Sequence, residues 1–88
     1  MGFPETFKAL SSQSRRDILH LLKSGSLSVS EIGSHFTMTG ATLSHHLAVL
    51  REAGLITDRR RGKYIYYELN LTVFEEIAAW MKGFIKNE

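Results

Sequence analysis

The chain has 88 residues, enough for one small domain with a modest core, and its 43% hydrophobic and 23% charged residues exclude a largely disordered polypeptide. It has no cysteine, which excludes disulfides, thiolate metal sites and thiol redox sensing; no apolar run approaches the roughly 20 residues that cross a bilayer, and MGFPETFKAL lacks a signal peptide's basic and apolar regions, so a cytoplasmic location is expected. The net charge is only +2, but Arg59, Arg60, Arg61 and Lys63 lie together, and such a concentration points to a polyanionic partner.

Taken in chain order, FPETFKAL spaces Phe3, Phe7 and Leu10 along one face of a short helix, with Pro4 in a first turn where its missing N–H is no loss. In QSRRDILHLLKSG the side chains of Ile18, Leu19 and Leu22 share a side, a serine that can cap precedes them, and Lys-Ser-Gly stops a second helix near Gly25. Ser28 and Glu31 have capping-box spacing ahead of Ile32 and Phe36, which predicts a short third helix. Thr39 caps a fourth, Gly40 to Ala53, in which Leu43, Leu47 and Leu50 recur at helical spacing and Gly54 supplies the left-handed stop. With only TMT joining them, the third and fourth helices must cross steeply as a helix-turn-helix, the fourth being the reading helix.

The period then changes. LITDRR and KYIYYEL are rich in β-branched and aromatic residues and flank Arg61-Gly62, so a β-hairpin with a basic tip is expected. Thr72 to Glu75 has capping-box spacing and opens a last helix, VFEEIAAWMKGFIKN, whose apolar residues cover more than one stripe. One packing face cannot bury them all, and part of that surface is expected to meet a second subunit. The fold expected is mainly α with a small hairpin, a winged helix-turn-helix of order α-α-α-α-β-β-α, forming one DNA-binding and dimerisation domain over residues 1–88.

Three segments, ALSSQSRRDILHLL, LSHHLAVLREAGLI and RRGKYIYYEL, resemble the signature segments of the ArsR/SmtB family of bacterial winged-helix repressors, in the right order and over nearly the whole chain. The most specific part is Ser44-x-His46-Leu47-x-x-Leu50 followed by Ala53-Gly54-Leu55. The paired histidines, the short last helix with its tryptophan and the lack of sensor ligands bring the chain closest to the SdpR-like autorepressor branch. The resemblance implies a homodimer built from the first and last helices, the fourth helix in the major groove and the wing along the backbone or minor groove. Two departures stand out: Ser12-Gln13 replaces the Asp-Pro of many members, which matters little because serine also caps, and no metal-ligand motif is present, which puts metal sensing in doubt.

The candidate reading residues are Thr39, Gly40, Ala41, Thr42, Ser44 and His45, small or polar side chains able to approach base edges, whose bland alternative is a cap and a solvated helix face. Gly40 and Ala41 bring few hydrogen bonds, which leaves part of any specificity to DNA shape. His46, one turn before Leu50, can turn toward the protein as a hydrogen-bonded structural residue or meet a phosphate. Arg60, Arg61, Lys63 and Tyr64 form the wing-tip patch for phosphate or minor-groove contact; the strand position of Arg59 can point it elsewhere, and Arg15 either pins a phosphate or pairs with an acidic neighbour. The stripe Phe3, Phe7, Phe74, Ile77, Trp80, Met81, Phe84 and Ile85 is divided between core and dimer interface.

Ser44 with either neighbouring histidine makes a poor hydrolytic pair, because adjacent helix residues point about 100° apart and no acidic orienter or oxyanion loop is nearby. His45 and His46 lack the i, i+3 or i, i+4 spacing of helix metal ligands, and His20 and His35 stand alone in sequence. No enzymatic activity, metal, cofactor or small-molecule substrate is therefore expected. The reading is a dimeric, sequence-specific repressor on double-stranded operator DNA, either released by a regulatory protein partner, for which the branch resemblance suggests a membrane-bound one, or without any inducer. The rival is a winged-helix protein-interaction module whose basic wing meets an acidic protein.

Overall fold

The computed structural model describes residues 3–85. Helix α1 is Phe3–Leu10, α2 is Gln13–Leu21 followed by a tighter 3-10 turn over Leu22–Ser24, β1 is Leu27–Ser28, α3 is Val29–Gly33, α4 is Gly40–Glu52, β2 is Ile56–Arg61, β3 is Tyr64–Leu69 and α5 is Leu71–Ile85. Three of these starts are capped as the sequence suggests. Ser12 Oγ accepts from the Arg15 N–H at 3.3 Å, and Thr39 Oγ1 accepts from the Thr42 N–H at 3.2 Å. Ser28 and Glu31 close a reciprocal box, with N–H donors to Oγ and Oε1 at 3.2 and 2.8 Å, and so satisfy amides that the first turn of a helix leaves unpaired.

Leu43, Leu47 and Leu50 turn one stripe of α4 into a core shared with Ile18, Leu19 and Leu22 from α2 and its turn, Ile32 from α3, Leu55 and Ile56, and Val73 and Ile77 from α5. Full burial of such a side chain stabilises by roughly 1.5–3 kcal/mol, so this stripe fixes the rotation of α4 and thereby decides which of its residues face outward.

Four details depart from the sequence expectation. A short strand precedes α3: Leu27 and Ser28 pair antiparallel with Tyr67 and Tyr66, making a three-stranded sheet of order β1-β3-β2 instead of a lone hairpin. Two residues are too few to show a period, and the pairing partner is remote in sequence. The link between α3 and α4 runs over residues 34–39 and is longer than TMT, because α3 ends at Gly33. The last turn of the second helix tightens to 3-10 geometry before Gly25.

The fourth departure concerns α5, which begins at Leu71, so Thr72 lies inside the first turn and the anticipated Thr72–Glu75 cap is not its start. Asn70 sets the start instead: its backbone N–H donates to Leu55 O and its Nδ2 to Gly54 O, each at 3.0 Å, which ties the entry of α5 to the end of α4. Gly54 there has φ +79°, and a Cβ on it would stand 3.2 Å from Val73 Cγ2, so both conformation and space require glycine. The expected extension of the last helix through Lys86 and Asn87 lies outside the described residues.

The molecule is elongated, 50 × 24 × 22 Å, with a Cα radius of gyration of 14.1 Å against about 12 Å for a compact chain of this length. From Ala78 onward every described residue of α5 is exposed.

Candidate nucleic-acid interface

The buried leucine stripe leaves Thr39, Gly40, Ala41, Thr42, Ser44 and His45 exposed at the first turns of α4. Thr39 Oγ1 donates to Thr42 Oγ1 at 3.0 Å while accepting the Thr42 N–H. Thr39 is therefore occupied by capping, and Thr42 is the threonine whose hydroxyl proton remains free to serve something outside the protein.

His46 sits beside the buried stripe instead of opposite it, half-buried, with Nδ1 3.2 Å from Arg15 Nη1. A guanidinium only donates, so Nδ1 accepts and the ring proton is on Nε2. The same guanidinium donates from Nε to Ala9 O at 2.7 Å and from Nη2 to Lys8 O at 3.0 Å. Among the described residues Arg15 thus pairs with no acidic neighbour, one of the two sequence alternatives. It closes the C-terminal carbonyls of α1 and joins α1, α2 and α4 at one point, a favourable place for a cation beside a helix C-terminus.

Burial, the Arg15 charge and the neighbouring His45 together hold the His46 pKa below its ordinary value. The folded chain resists protonation at this ring while the unfolded chain does not, so below about pH 6.5 the unfolded state binds more protons. The contribution of neutral His46 is complete above that pH and is lost as pH falls from there through the lower pKa of the folded state. An NMR titration of the His46 ring protons is expected to give a midpoint below 6.5, and Arg15→Gln is expected to move it upward. A midpoint at or above 6.5 would show that Arg15 does not hold the ring.

The wing is built by full pairing of β2 with β3 from Ile56↔Leu69 to Arg61↔Tyr64, which leaves Gly62 and Lys63 as the turn. Gly62 takes φ +61°, the left-handed conformation such turns demand. Arg61 lies over the Tyr66 ring at 5.2 Å from the centroid and Lys63 over Tyr64 at 5.6 Å, so aromatic faces steady both cations without neutralising them. Arg59 is different: it pairs with Glu68 across the strands at 3.4 Å, and Arg51 pairs with Asp58 at 3.4 Å. Among the described residues Arg60, Arg61 and Lys63 have no carboxylate partner, and with Tyr64 they are exposed.

Sequence reasoning missed Ser30. The start of α3 and the wing share a hollow of about 370 Å³ lined by Ser28, Val29, Ser30, Lys63, Tyr64 and Ile65, which brings the exposed Ser30 hydroxyl beside the basic tip. No local signal reports it, because β1 pairing with β3 creates the neighbourhood. His20 and His35, isolated from one another in sequence, border one groove with Asp17, yet among the described residues no three His, Asp or Glu side chains are grouped to hold a metal ion.

The apolar stripe divides. Ile77 and Val73 are spent in the core and Phe74 packs against it. Phe3, Phe7, Trp80 and Phe84 form an aromatic chain between α1 and α5, with centroid separations of 5.0–5.9 Å. Phe7, Trp80, Met81, Phe84 and Ile85 nevertheless remain exposed, a contiguous apolar surface of the kind that marks an interaction site. No helix among the described residues is long and apolar enough to cross a membrane.

The sequence model for the arsR family of bacterial regulatory proteins matches residues 12–58, from the α2 cap through α4 into the wing. The transcriptional repressor SdpR of Bacillus subtilis (strain 168) is 46% identical over 79 residues, 90% of this chain and 88% of that protein. The arsenic resistance transcriptional regulator ArsR1 of Pseudomonas putida is 37% identical over 83 residues, 93% of this chain but 65% of its own length. A crystal structure described as a possible transcriptional regulator for arsenical resistance superposes with a TM-score of 0.82 at 31% identity, covering 94% of this chain and 86% of the other. Its fold and sequence together place the chain in the ArsR family of winged-helix regulators: it belongs to that family and is a transcriptional regulator, not an enzyme.

Proposed function

We propose that the chain is a dimeric, sequence-specific repressor that acts as one winged-helix unit on double-stranded operator DNA in the bacterial cytoplasm, its own promoter included. The observation that carries this reading is the pairing of two exposed features: the free polar start of α4, and a wing tip with three cations that no carboxylate neutralises among the described residues. In this reading Gly40, Ala41, Thr42, Ser44 and His45 lie in the major groove, with Thr39 holding the first turn. Arg60, Arg61, Lys63 and Tyr64 supply sequence-independent affinity along the backbone. His46, held by Arg15, sets the angle of α4 and offers Nε2–H to a phosphate. In this reading the occupied operator blocks polymerase, and the likeness to the transcriptional repressor SdpR supports repression as the outcome.

The open face of α5 gives the dimer its surface, and two copies present two reading helices to half-sites about one helical turn apart. No metal is part of the mechanism proposed. The α5 face serves one partner at a time, so a regulatory protein partner, membrane-bound or free, must displace the second copy or dock elsewhere.

His45→Ala tests the base-reading assignment. It is expected to weaken operator binding by roughly 1–3 kcal/mol per site while leaving random-sequence DNA nearly unaffected. Equal losses on both DNAs, measured by fluorescence anisotropy at one salt concentration, would remove His45 from the reading set.

A further inference from the structure

Away from α4 and the wing, a cavity of about 470 Å³ opens where the α1–α2 elbow meets the β3–α5 elbow, a size within the range of small-ligand pockets. Its walls are apolar, formed by Leu10, Leu19, Leu69, Leu71 and Phe74. Its rim is basic, formed by Arg16, His20 and Lys23, which succeed one another at helical spacing on α2 and the turn after it. No acidic side chain lines it, and among the described residues none of the three rim residues has a carboxylate partner.

Arg16 is preorganised: Nη1 donates to Leu10 O at 2.6 Å and Nη2 to Gln13 Oε1 at 3.0 Å, which fixes the guanidinium at the mouth. An apolar chamber with positive charge at one edge alone is complementary to a molecule with an alkyl chain and a single anionic end. We infer that this cavity binds a monomeric medium-chain carboxylate, its chain against Leu19, Leu69 and Phe74 and its carboxylate on Arg16 and Lys23.

The position gives such a ligand leverage. Arg16 holds the Leu10 carbonyl while Arg15 holds those of Lys8 and Ala9 and also grips His46, so both arginines close the same end of α1. A carboxylate on Arg16 competes with the Leu10 carbonyl for the same guanidinium and so weakens its hold on the α1 end that Arg15 links to α4. Leu71, at the mouth, is also exposed beside the open face of α5.

The test is calorimetric titration of the full chain with sodium dodecanoate held below its micelle-forming concentration. Dodecyltrimethylammonium, acetate and vesicles of phosphatidylglycerol are run in parallel. One dodecanoate per chain is expected, with a Kd on the order of micromolar, weakened at least about tenfold in Lys23→Glu and again in His20→Glu. Acetate and the cationic detergent are expected to bind at least about tenfold more weakly. The site is refuted if dodecanoate fails to bind, as it must where a second copy fills the cavity, if both glutamate variants bind it as the parent does, if the cation binds equally well, or if only the vesicles bind. Binding is read without DNA, so its outcome is independent of the repressor reading; any change in operator affinity on adding dodecanoate rests on that reading and is measured separately.

Discussion

Met81→Glu combined with Ile85→Glu is expected to leave a folded monomer that has lost roughly 10²–10⁴-fold in operator affinity. The first half of α5 is anchored by Val73 and Ile77, whereas Met81 and Ile85 are 48% and 75% exposed, so the two substitutions leave the core of the single chain intact. At about 100° per residue, Val73, Ile77, Trp80 and Phe84 share one side, on which Trp80 meets Phe7 of α1, while Ala78, Met81 and Ile85 form a neighbouring stripe without cover. In the proposed dimer a second copy related by a two-fold axis covers that stripe with its own, and a carboxylate buried there without a partner is costly enough to prevent association. The affinity loss follows because a monomer holds one half-site and forfeits the effective concentration that tethers its twin. Analytical ultracentrifugation and operator binding check both halves; a monomeric parent, or a dimeric variant with unchanged affinity, would contradict the assignment.

Arg60→Ala, Arg61→Ala and Lys63→Ala together are expected to flatten the salt dependence of DNA binding. Each phosphate neutralised contributes about 0.9 to the slope of log affinity against log salt, so three cations on each of two wings account for about 5 units. Between 50 and 200 mM salt that slope amounts to about a thousandfold, which the parent loses and the triple variant does not. The loss of affinity at low salt is expected on operator and random DNA alike, since the proposed role of the wing cations is backbone contact and not base reading. Arg59→Ala serves as contrast: its charge is already paired with Glu68, and the slope is expected to change little. A triple variant whose defect is confined to operator DNA would move the wing from backbone contact to base reading.

The parts of this structure legible in the sequence are those governed by short-range physics. Capping at Ser12, Ser28 and Thr39, the leucine stripe of α4, the left-handed glycines at 54 and 62 and the hairpin around Gly62 depend on residues within one or two turns. The tertiary links escaped. Strand β1 is defined only by its pairing with Tyr66 and Tyr67, and the start of α5 by Asn70 reaching back to Gly54 and Leu55. Nothing nearby in sequence shows that Arg15 meets the end of α1 and a histidine of α4. The candidate reading residues stand exposed where the periodicity placed them. The division of the last helix was visible only as a surplus of apolar residues, and the fold shows which of them the core takes.

The most direct measurement is selection of bound DNA from a random-sequence pool, followed by titration of the enriched sequence and a scrambled control at two salt concentrations. The result expected is a site with two symmetric halves about one helical turn apart, bound roughly a thousandfold more tightly than the control and weakened steeply by salt. A pool that never enriches, with equal and weak binding to every sequence, would contradict sequence-specific repression and favour a wing that meets an acidic protein.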